Sequence, residues 1–193
     1  MLKEFKDKGV GSVQSLIMLY KDKKRINTYG NKLNFLGIGK VQGLGRTLKE
    51  VKLPYEIDYS SGACCAYRVS VLKEIGFFDE YFFCYHEDLD LGYRIRKAGF
   101  KNVLAKDSIV YHDYEFKKNK NKFFFIERNR LIFLFSIYPW YFYILLFPFI
   151  IFSEILILIY ATFKGFLKEK LKAYRAFLKS FPHVRKRRKL ILS

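Results

Sequence analysis

Most of the structural signals in this sequence lie in SGACCAYRVSVLKEIGFFDEYFFCYHEDLDLGYRIRKAGF, residues 61–100. Its opening SGACCAYR has the composition of a strand, and a short helix is predicted after it, with Ser70 as the N-cap and Gly76 as the stop. From Asp88 onward apolar residues recur at helical spacing, and Gly99 stands where a left-handed C-terminal cap belongs. The predicted order is therefore strand, helix, aromatic segment, helix.

Strands are also predicted on both sides of this stretch. VQSLIMLY (13–20) is apolar enough for a buried strand, and NVLA (102–105) and SIVYH (108–112) come after the second helix. Residues 21–58 are polar and rich in glycine, which favours a flexible excursion over the surface. The first residues are typical of the last turns of a helix ending at Gly9, so we expect further chain before Met1 in a complete domain. The pattern as a whole predicts an α/β fold.

Three acids, Glu87, Asp88 and Asp90, lie where the aromatic segment gives way to the helix. One interpretation is capping, because free backbone amides and the helix dipole stabilise acids at a helix N-terminus. One acid suffices for a cap, however, and a carboxylate held rigidly at such a junction suits a general base. Asp88-Leu89-Asp90 also matches a DxD metal motif, although the run before it is aromatic rather than the expected apolar strand. Spacing alone leaves catalysis and capping open.

Residues 131–163 form a long apolar run whose one charged side chain is Glu154. A bilayer core about 30 Å thick needs about 20 apolar residues, so the run is long enough to cross it. Pro139 and Pro148 would break or kink the segment. A single span and a kinked hairpin both fit, and a buried helix pair in a soluble core is the alternative.

The formal charge of +18 at first suggests a nucleic-acid binder. Residues 59–116, however, hold 7 Lys/Arg against 9 acids, whereas residues 164–193 hold 11 against 1. Cations beside an apolar run are attracted to an anionic leaflet, so we predict a membrane partner and no nucleic acid. The tail (164–189) alternates basic and apolar residues, as a basic amphipathic helix on a membrane does.

Three cysteines, Cys64, Cys65 and Cys84, form no CxxC pair, and an odd number cannot pair completely within one chain. With no signal peptide in the sequence, reduced thiols facing the cytosol are predicted.

Residues 61–100 resemble the acceptor-side signature of family 2 glycosyltransferases, in particular rhamnosyltransferase-like and O-antigen or cell-wall sugar transferases. The resemblance covers about residues 10–135. The matching elements are Ser-Gly-Ala (61–63), Arg68, Gly-Phe-Phe-Asp-Glu (76–80), Glu-Asp-Leu-Asp-Leu (87–91), Arg-Lys-Ala-Gly-Phe (96–100), His112 and Arg128-Asn129-Arg130.

The resemblance implies a role for individual residues. Asp88 matches the catalytic base, with Glu87 and Asp90 beside it for positioning and capping, and Asp90 is also a candidate for contact with the acceptor. Gly62 and Ala63 would lie against the donor sugar. The remaining two implied positions are Arg68 for substrate binding and His112 for holding the metal and diphosphate.

The resemblance also implies an architecture. Residues 1–125 would be a partial GT-A (Rossmann-like) nucleotide-diphospho-sugar transferase domain, 126–163 a membrane-embedded helical segment, and 164–193 a basic amphipathic cytoplasmic tail. Family members begin with a nucleotide-binding half that ends in a strand with DxD, and this sequence resembles the part of the family beyond that strand. We therefore expect a truncated enzyme that lacks most donor contacts and the main DxD metal ligands and has no independent activity. Its complete form would use Mg²⁺ or Mn²⁺.

The expected activity is inverting transfer of a sugar from a nucleotide-sugar donor to a lipid-linked or polysaccharide acceptor. Its expected place is the cytoplasmic side of the cell membrane, in the synthesis of a cell-envelope glycan. The alternative is a non-catalytic, membrane-associated scaffold derived from a glycosyltransferase.

Overall fold

The computed structural model describes residues 1–113 and 119–192, which form two compact units. The first is an α/β unit made of residues 1–34, 39–81 and 87–113. The second is a helical unit made of residues 35–38, 82–86 and 119–192.

The α/β unit is built on a mixed five-stranded sheet. Its strands are β1 (Val10–Leu19), β2 (Ile26–Thr28), β5 (Glu56–Ile57), β6 (Cys65–Tyr67) and β7 (Lys101–His112). The order is β2-β1-β7-β5, with β6 also paired to β1, and β1 and β7 run parallel while the other pairs are antiparallel. A separate hairpin joins β3 (Asn31–Leu33) to β4 (Gly39–Val41). The predicted α/β class is confirmed.

Two helices complete this unit. Helix α1 (Val69–Ile75) ends at Gly76, whose φ of 86° is left-handed, and α2 (Glu87–Lys97) is followed by Gly99 with the same φ. Both predicted stops are confirmed, since only glycine adopts such angles without strain. The predicted N-cap Ser70 is wrong, because Arg68 occupies that position and Val69 already begins the helix.

The central strands differ from the sequence prediction in detail. The predicted strand 13–20 begins three residues earlier, and the two strands predicted at 102–105 and 108–112 are one continuous strand, β7. Its register against β1 shifts where Ser15 pairs with Ala105 and Leu16 with Ile109, so a bulge absorbs the polar residues that had suggested a break. Residues 21–58 contain four short strands rather than a flexible excursion.

The core of the α/β unit has apolar groups on both faces of the sheet. Val71, Leu72, Leu91 and Ile95 pack α1 against α2. A second group consists of Leu16, Met18, Ile26, Ile57 and Leu104.

The helical unit contains α3 (Lys120–Ile137), α4 (Phe142–Lys164), α5 (Leu167–Lys179) and α6 (Phe181–Leu192). The predicted apolar run is thus divided between two helices, with Pro139 in the break, while Pro148 is accommodated inside α4. The predicted amphipathic tail is also two helices, which meet at Ser180. Within the described residues one helix, α4, is long and apolar enough to cross a membrane.

A buried ionic cluster ties three of these helices together. Arg130 of α3 pairs with Glu127 and with Glu154 of α4, and Lys170 of α5 donates to Glu127 at 2.5 Å and to Glu154 at 2.8 Å. Tyr174 also donates to Glu154, at 2.6 Å. Two acids balance two bases, which is the arrangement that makes burial of charge tolerable.

Candidate active site

Asp88 lies in the first turn of α2, with its carboxylate facing the turn that precedes β6. Its Oδ2 accepts a hydrogen bond from the backbone N–H of Gly62 at 3.0 Å, and its Oδ1 accepts one from the N–H of Leu89 at 2.8 Å. Burial raises the pKa of Asp88, and the two backbone hydrogen bonds partly offset that rise. A carboxylate in this position is rigid and has a stronger affinity for a proton than an exposed aspartate.

Glu87 precedes Asp88, and one of its carboxylate oxygens accepts no hydrogen bond within the described residues. Its Oε2 is buried and has no hydrogen-bond partner among residues 1–113 and 119–192. Burial raises the pKa of Glu87, and repulsion from Asp88 adds to the rise. A buried acceptor without a partner costs free energy.

Close packing between α2 and the segment before β6 brings Asp88 to Gly62. Gly92 of α2 makes this possible, because a methyl group there would lie 2.8 Å from the Cα of Tyr59. Asn102 of β7 fixes the same contact by donating to the carbonyls of Asp58 at 2.8 Å and Gly92 at 2.9 Å. Both the helix and the loop are therefore anchored to the sheet.

The Ser61–Ala63 turn is held by β1. Gln14, fully buried in that strand, accepts a hydrogen bond from the Ser61 N–H at 2.7 Å. Gly62 and Ala63 are exposed at the tip of the turn, next to the Asp88 carboxylate. The structure thus brings Gly62, Ala63, Glu87 and Asp88 together, and the roles implied for them stay predictions.

Asp90 faces away from this cluster, into the core. It is fully buried and forms an ion pair with Arg94 at 2.9 Å. Arg94 in turn donates to the carbonyls of Ile75, Gly76 and Phe77. This geometry suits the positioning role predicted for Asp90, because the pair fastens α2 to the end of α1.

Arg68 is engaged with the start of the chain. Its guanidinium donates to the carbonyls of Val10, Phe5 and Asp7 at 2.7–2.8 Å and lies over the Phe5 ring. The substrate-binding role implied by the resemblance stays a prediction, and the contacts in the structure are those of a residue that anchors the N-terminal segment.

His112 ends β7, with its Nδ1 3.3 Å from the Asn27 side-chain oxygen. Within the described residues no three His, Cys, Asp or Glu side chains lie close enough to hold a metal ion. The metal-holding role that the resemblance implies for His112 stays a prediction.

Two residues near Asp88, Cys65 and Tyr67, do not belong to any of the motifs recognised in the sequence. Tyr67 and Cys65 both lie in β6, and burial raises the pKa of both groups, with Asp88 contributing in the same direction. Residues two apart in a strand share a face, so the spacing of Cys65 and Tyr67 was the available signal. Gln14 gave no signal, because its role depends on the strand pairing.

The α/β unit thus presents a carboxylate held by two backbone N–H groups, with a second acid beside it. Comparison with known proteins shows a similarity over part of the chain: residues 51–133 match the model of the glycosyltransferase-like family 2. Over these residues the chain is similar to the family 2 glycosyltransferases.

The curated relatives are two forms of one enzyme. They are N-acetylglucosaminyl-diphospho-decaprenol L-rhamnosyltransferases from two strains of Mycobacterium tuberculosis, each 41% identical to this chain over 56 residues. The matched stretch is 29% of this chain and 18% of the relative. The similarity therefore concerns a short part of a considerably longer protein.

Proposed function

We propose that this chain acts in inverting transfer of a sugar from a nucleotide-sugar donor to an acceptor hydroxyl, with Asp88 as the general base. In this step Asp88 takes the hydroxyl proton as the acceptor oxygen bonds to the anomeric carbon. The bond from that carbon to the diphosphate oxygen breaks, and the nucleoside diphosphate leaves with the electron pair. Attack opposite the leaving group inverts the anomeric centre.

The observation that supports this function most directly is the state of the Asp88 carboxylate. Two backbone N–H groups fix its orientation, and burial raises its pKa toward the working pH of a base. A helix cap alone would need no second buried acid beside it.

Glu87 is proposed to hold the acceptor. Its unpartnered Oε2 would accept a hydrogen bond from a second hydroxyl of the acceptor sugar, and so align the reacting hydroxyl with Asp88. Gly62 and Ala63 would face the donor sugar, because their small side chains leave the exposed turn open to close approach.

The acceptor is proposed to be a sugar linked to a lipid diphosphate, and the donor a nucleotide-activated deoxyhexose. The support comes from the relatives, whose name states L-rhamnosyl transfer to N-acetylglucosaminyl-diphospho-decaprenol. A lipid-linked acceptor also suits a chain whose apolar helix α4 is followed by a strongly basic tail. We propose that the reaction takes place at the cytoplasmic face of the cell membrane, within the synthesis of an envelope glycan.

The test is a transfer assay on the full-length protein in membranes, with a panel of labelled nucleotide sugars and lipid-linked acceptors. Asp88→Asn is expected to lower turnover by about 100-fold or more, since general-base catalysis contributes about 10²–10⁴-fold. Asp107→Asn removes an exposed carboxylate elsewhere on the α/β unit and should keep wild-type turnover.

Near-normal turnover in Asp88→Asn would refute the assignment of the base. No transfer by the wild type with any donor in the panel would refute transfer by this chain alone, and is the result expected of either a truncated enzyme or the scaffold alternative.

A further inference from the structure

Helix α4 has a narrow buried face and a broad exposed apolar face. Its most buried positions, Leu146, Ile150, Ser153 and Ala161, are spaced so that they fall on one side. The exposed side includes Ile144 (71% exposed), Leu145 (68%), Phe147, Phe152, Leu156 and Phe163 (84%). An apolar surface of this extent marks a contact with another protein or with a membrane.

The ionic cluster fixes which helix lies beside α4. Glu154 is near the middle of α4, and both Lys170 and Tyr174 of α5 reach it. Because α4 ends at Lys164 and α5 begins at Leu167, these contacts require α5 to run back along the second half of α4.

The outer surface of α5 has a row of cations beside a row of leucines. The exposed cations are Lys168, Lys172, Arg175 and Lys179. The exposed leucines are Leu167, Leu171 and Leu178, which are three, four or seven residues from Tyr174 and so share its side of the helix, toward α4. The apolar face of α4 therefore continues onto α5 and is bordered there by positive charge.

A bilayer-spanning α4 conflicts with this arrangement. If α4 stood upright, its partner α5 would enter the hydrocarbon together with four exposed cations, which are rarely found there without partners. If α4 lies flat, its apolar face enters the leaflet and the α5 cations reach the headgroups.

We propose that α4 lies in the plane of an anionic leaflet, inserted by its exposed apolar face, with the α5 cations bound to lipid phosphates and carboxylates. The partner is a membrane surface rather than a second protein, because cations line the edge of the apolar face. The proposal concerns how the helical unit binds lipid and is independent of the transfer chemistry.

The native chain offers a direct probe of depth, because Trp140 is its only tryptophan. In a Trp140→Phe background, single tryptophans are placed on the exposed face by Leu145→Trp, Phe152→Trp or Phe163→Trp. Each full-length variant is bound to vesicles of phosphatidylcholine and phosphatidylserine, and depth is measured by quenching with lipids brominated at different acyl positions. Wild-type Trp140 serves as the unaltered reference.

A flat helix gives the three positions one depth, roughly 5–10 Å below the headgroups. Residues 145 and 163 are about 27 Å apart along a helix, at 1.5 Å per residue, so a spanning helix places them near opposite interfaces with residue 152 near the centre. A deep signal at 152 flanked by shallow signals at 145 and 163 would overturn the proposal. Absence of quenching at all three, with the chain dimeric in solution, would overturn it in favour of a second copy as the occupant.

The preference of the chain for anionic lipids is tested by removing the positive charges of α5. Replacing Lys168, Lys172, Arg175 and Lys179 by glutamine should reduce the preference for phosphatidylserine-containing over neutral vesicles by about 100-fold or more, because each cation near an anionic surface contributes about fivefold and four contribute about 600-fold. The matched control replaces four exposed lysines of the α/β unit, Lys24, Lys49, Lys52 and Lys73, and should keep the preference.

An equal loss in the control would show that net charge alone is responsible and would refute the role of α5. Neither readout needs donor or acceptor, so failure of the lipid proposal and failure of the transfer function are separable.

Discussion

At the scale of single residues, the Asp88 carboxylate combines burial with two backbone hydrogen bonds and a second acid next to it. Burial raises its pKa, so the folded protein binds a proton at Asp88 more tightly than the unfolded chain does. By linkage, the stability that this group provides is present at low pH and is lost as pH rises through the folded pKa. The ionised base therefore lowers stability at the pH where it functions.

Removing the charge should recover that stability. We expect the free energy of unfolding of Asp88→Asn to increase relative to that of the wild type as pH rises from about 4 to 7. The increase should be about 1.4 kcal/mol for each unit by which the pKa of Asp88 is raised. Urea unfolding of the full chain in detergent micelles at several pH values measures the difference.

Asp107→Asn serves as the control, because its stability relative to the wild type should change with pH in the opposite direction. The hydrogen bond from Lys3 lowers the pKa of the exposed Asp107, so its contribution is lost as pH falls. If the difference in free energy of unfolding between Asp88→Asn and the wild type stays constant or decreases toward pH 7, the pKa of Asp88 is not raised.

At the scale of elements, the position of α2 depends on one close contact that local patterns do not encode. The helix itself was predictable from its apolar spacing and from Gly99. The approach of Gly92 to Tyr59 was not, because it joins residues 33 apart through a fold that the spacing of either segment leaves undefined. The single strand β7 was likewise missed because Lys106 and Asp107 interrupt the apolar pattern at the bulge.

Gly92→Ala tests this contact. The added methyl group would meet the Tyr59 backbone, so we expect a loss of about 1–3 kcal/mol in stability and a displacement of Asp88 that lowers transfer. Lys97→Ala, at an exposed position of the same helix, should stay within about 0.5 kcal/mol of the wild type. Thermal unfolding and the transfer assay measure both effects, and a Gly92→Ala protein as stable and active as Lys97→Ala would show that the contact does not position α2.

At the scale of the whole molecule, composition predicted the apolar segment and the basic tail but left their arrangement open. The length of the apolar segment allowed a single span or a hairpin, because length does not show which residues Glu154 contacts. The buried pairs of Glu154 with Arg130 and Lys170 supply the missing information. Moving the four exposed α5 cations to the centre of a bilayer would cost about 10 kcal/mol or more, at about 2.5–3.5 kcal/mol each, so a flat helix is favoured.

The residues of the candidate site were named through a resemblance, and their roles stay predictions. The sequence brought Gly62, Ala63, Glu87 and Asp88 into one group through a resemblance, and the structure places them together. The resemblance also assigned His112 to holding the metal and diphosphate, and that role stays a prediction, since the described residues contain no group of three candidate ligands. Local motifs mark residues that meet within one turn or loop, whereas ligand sets assembled from distant segments need the three-dimensional structure.

The pH dependence of turnover at saturating donor and acceptor tests whether Asp88 is the general base. The wild type should lose activity on the acid side with the slope of one proton and a midpoint above 3.8, the ordinary pKa of an aspartate. The residual activity of Asp88→Asn should lack this acid limb. An unchanged limb in Asp88→Asn, with turnover close to that of the wild type, would contradict the account.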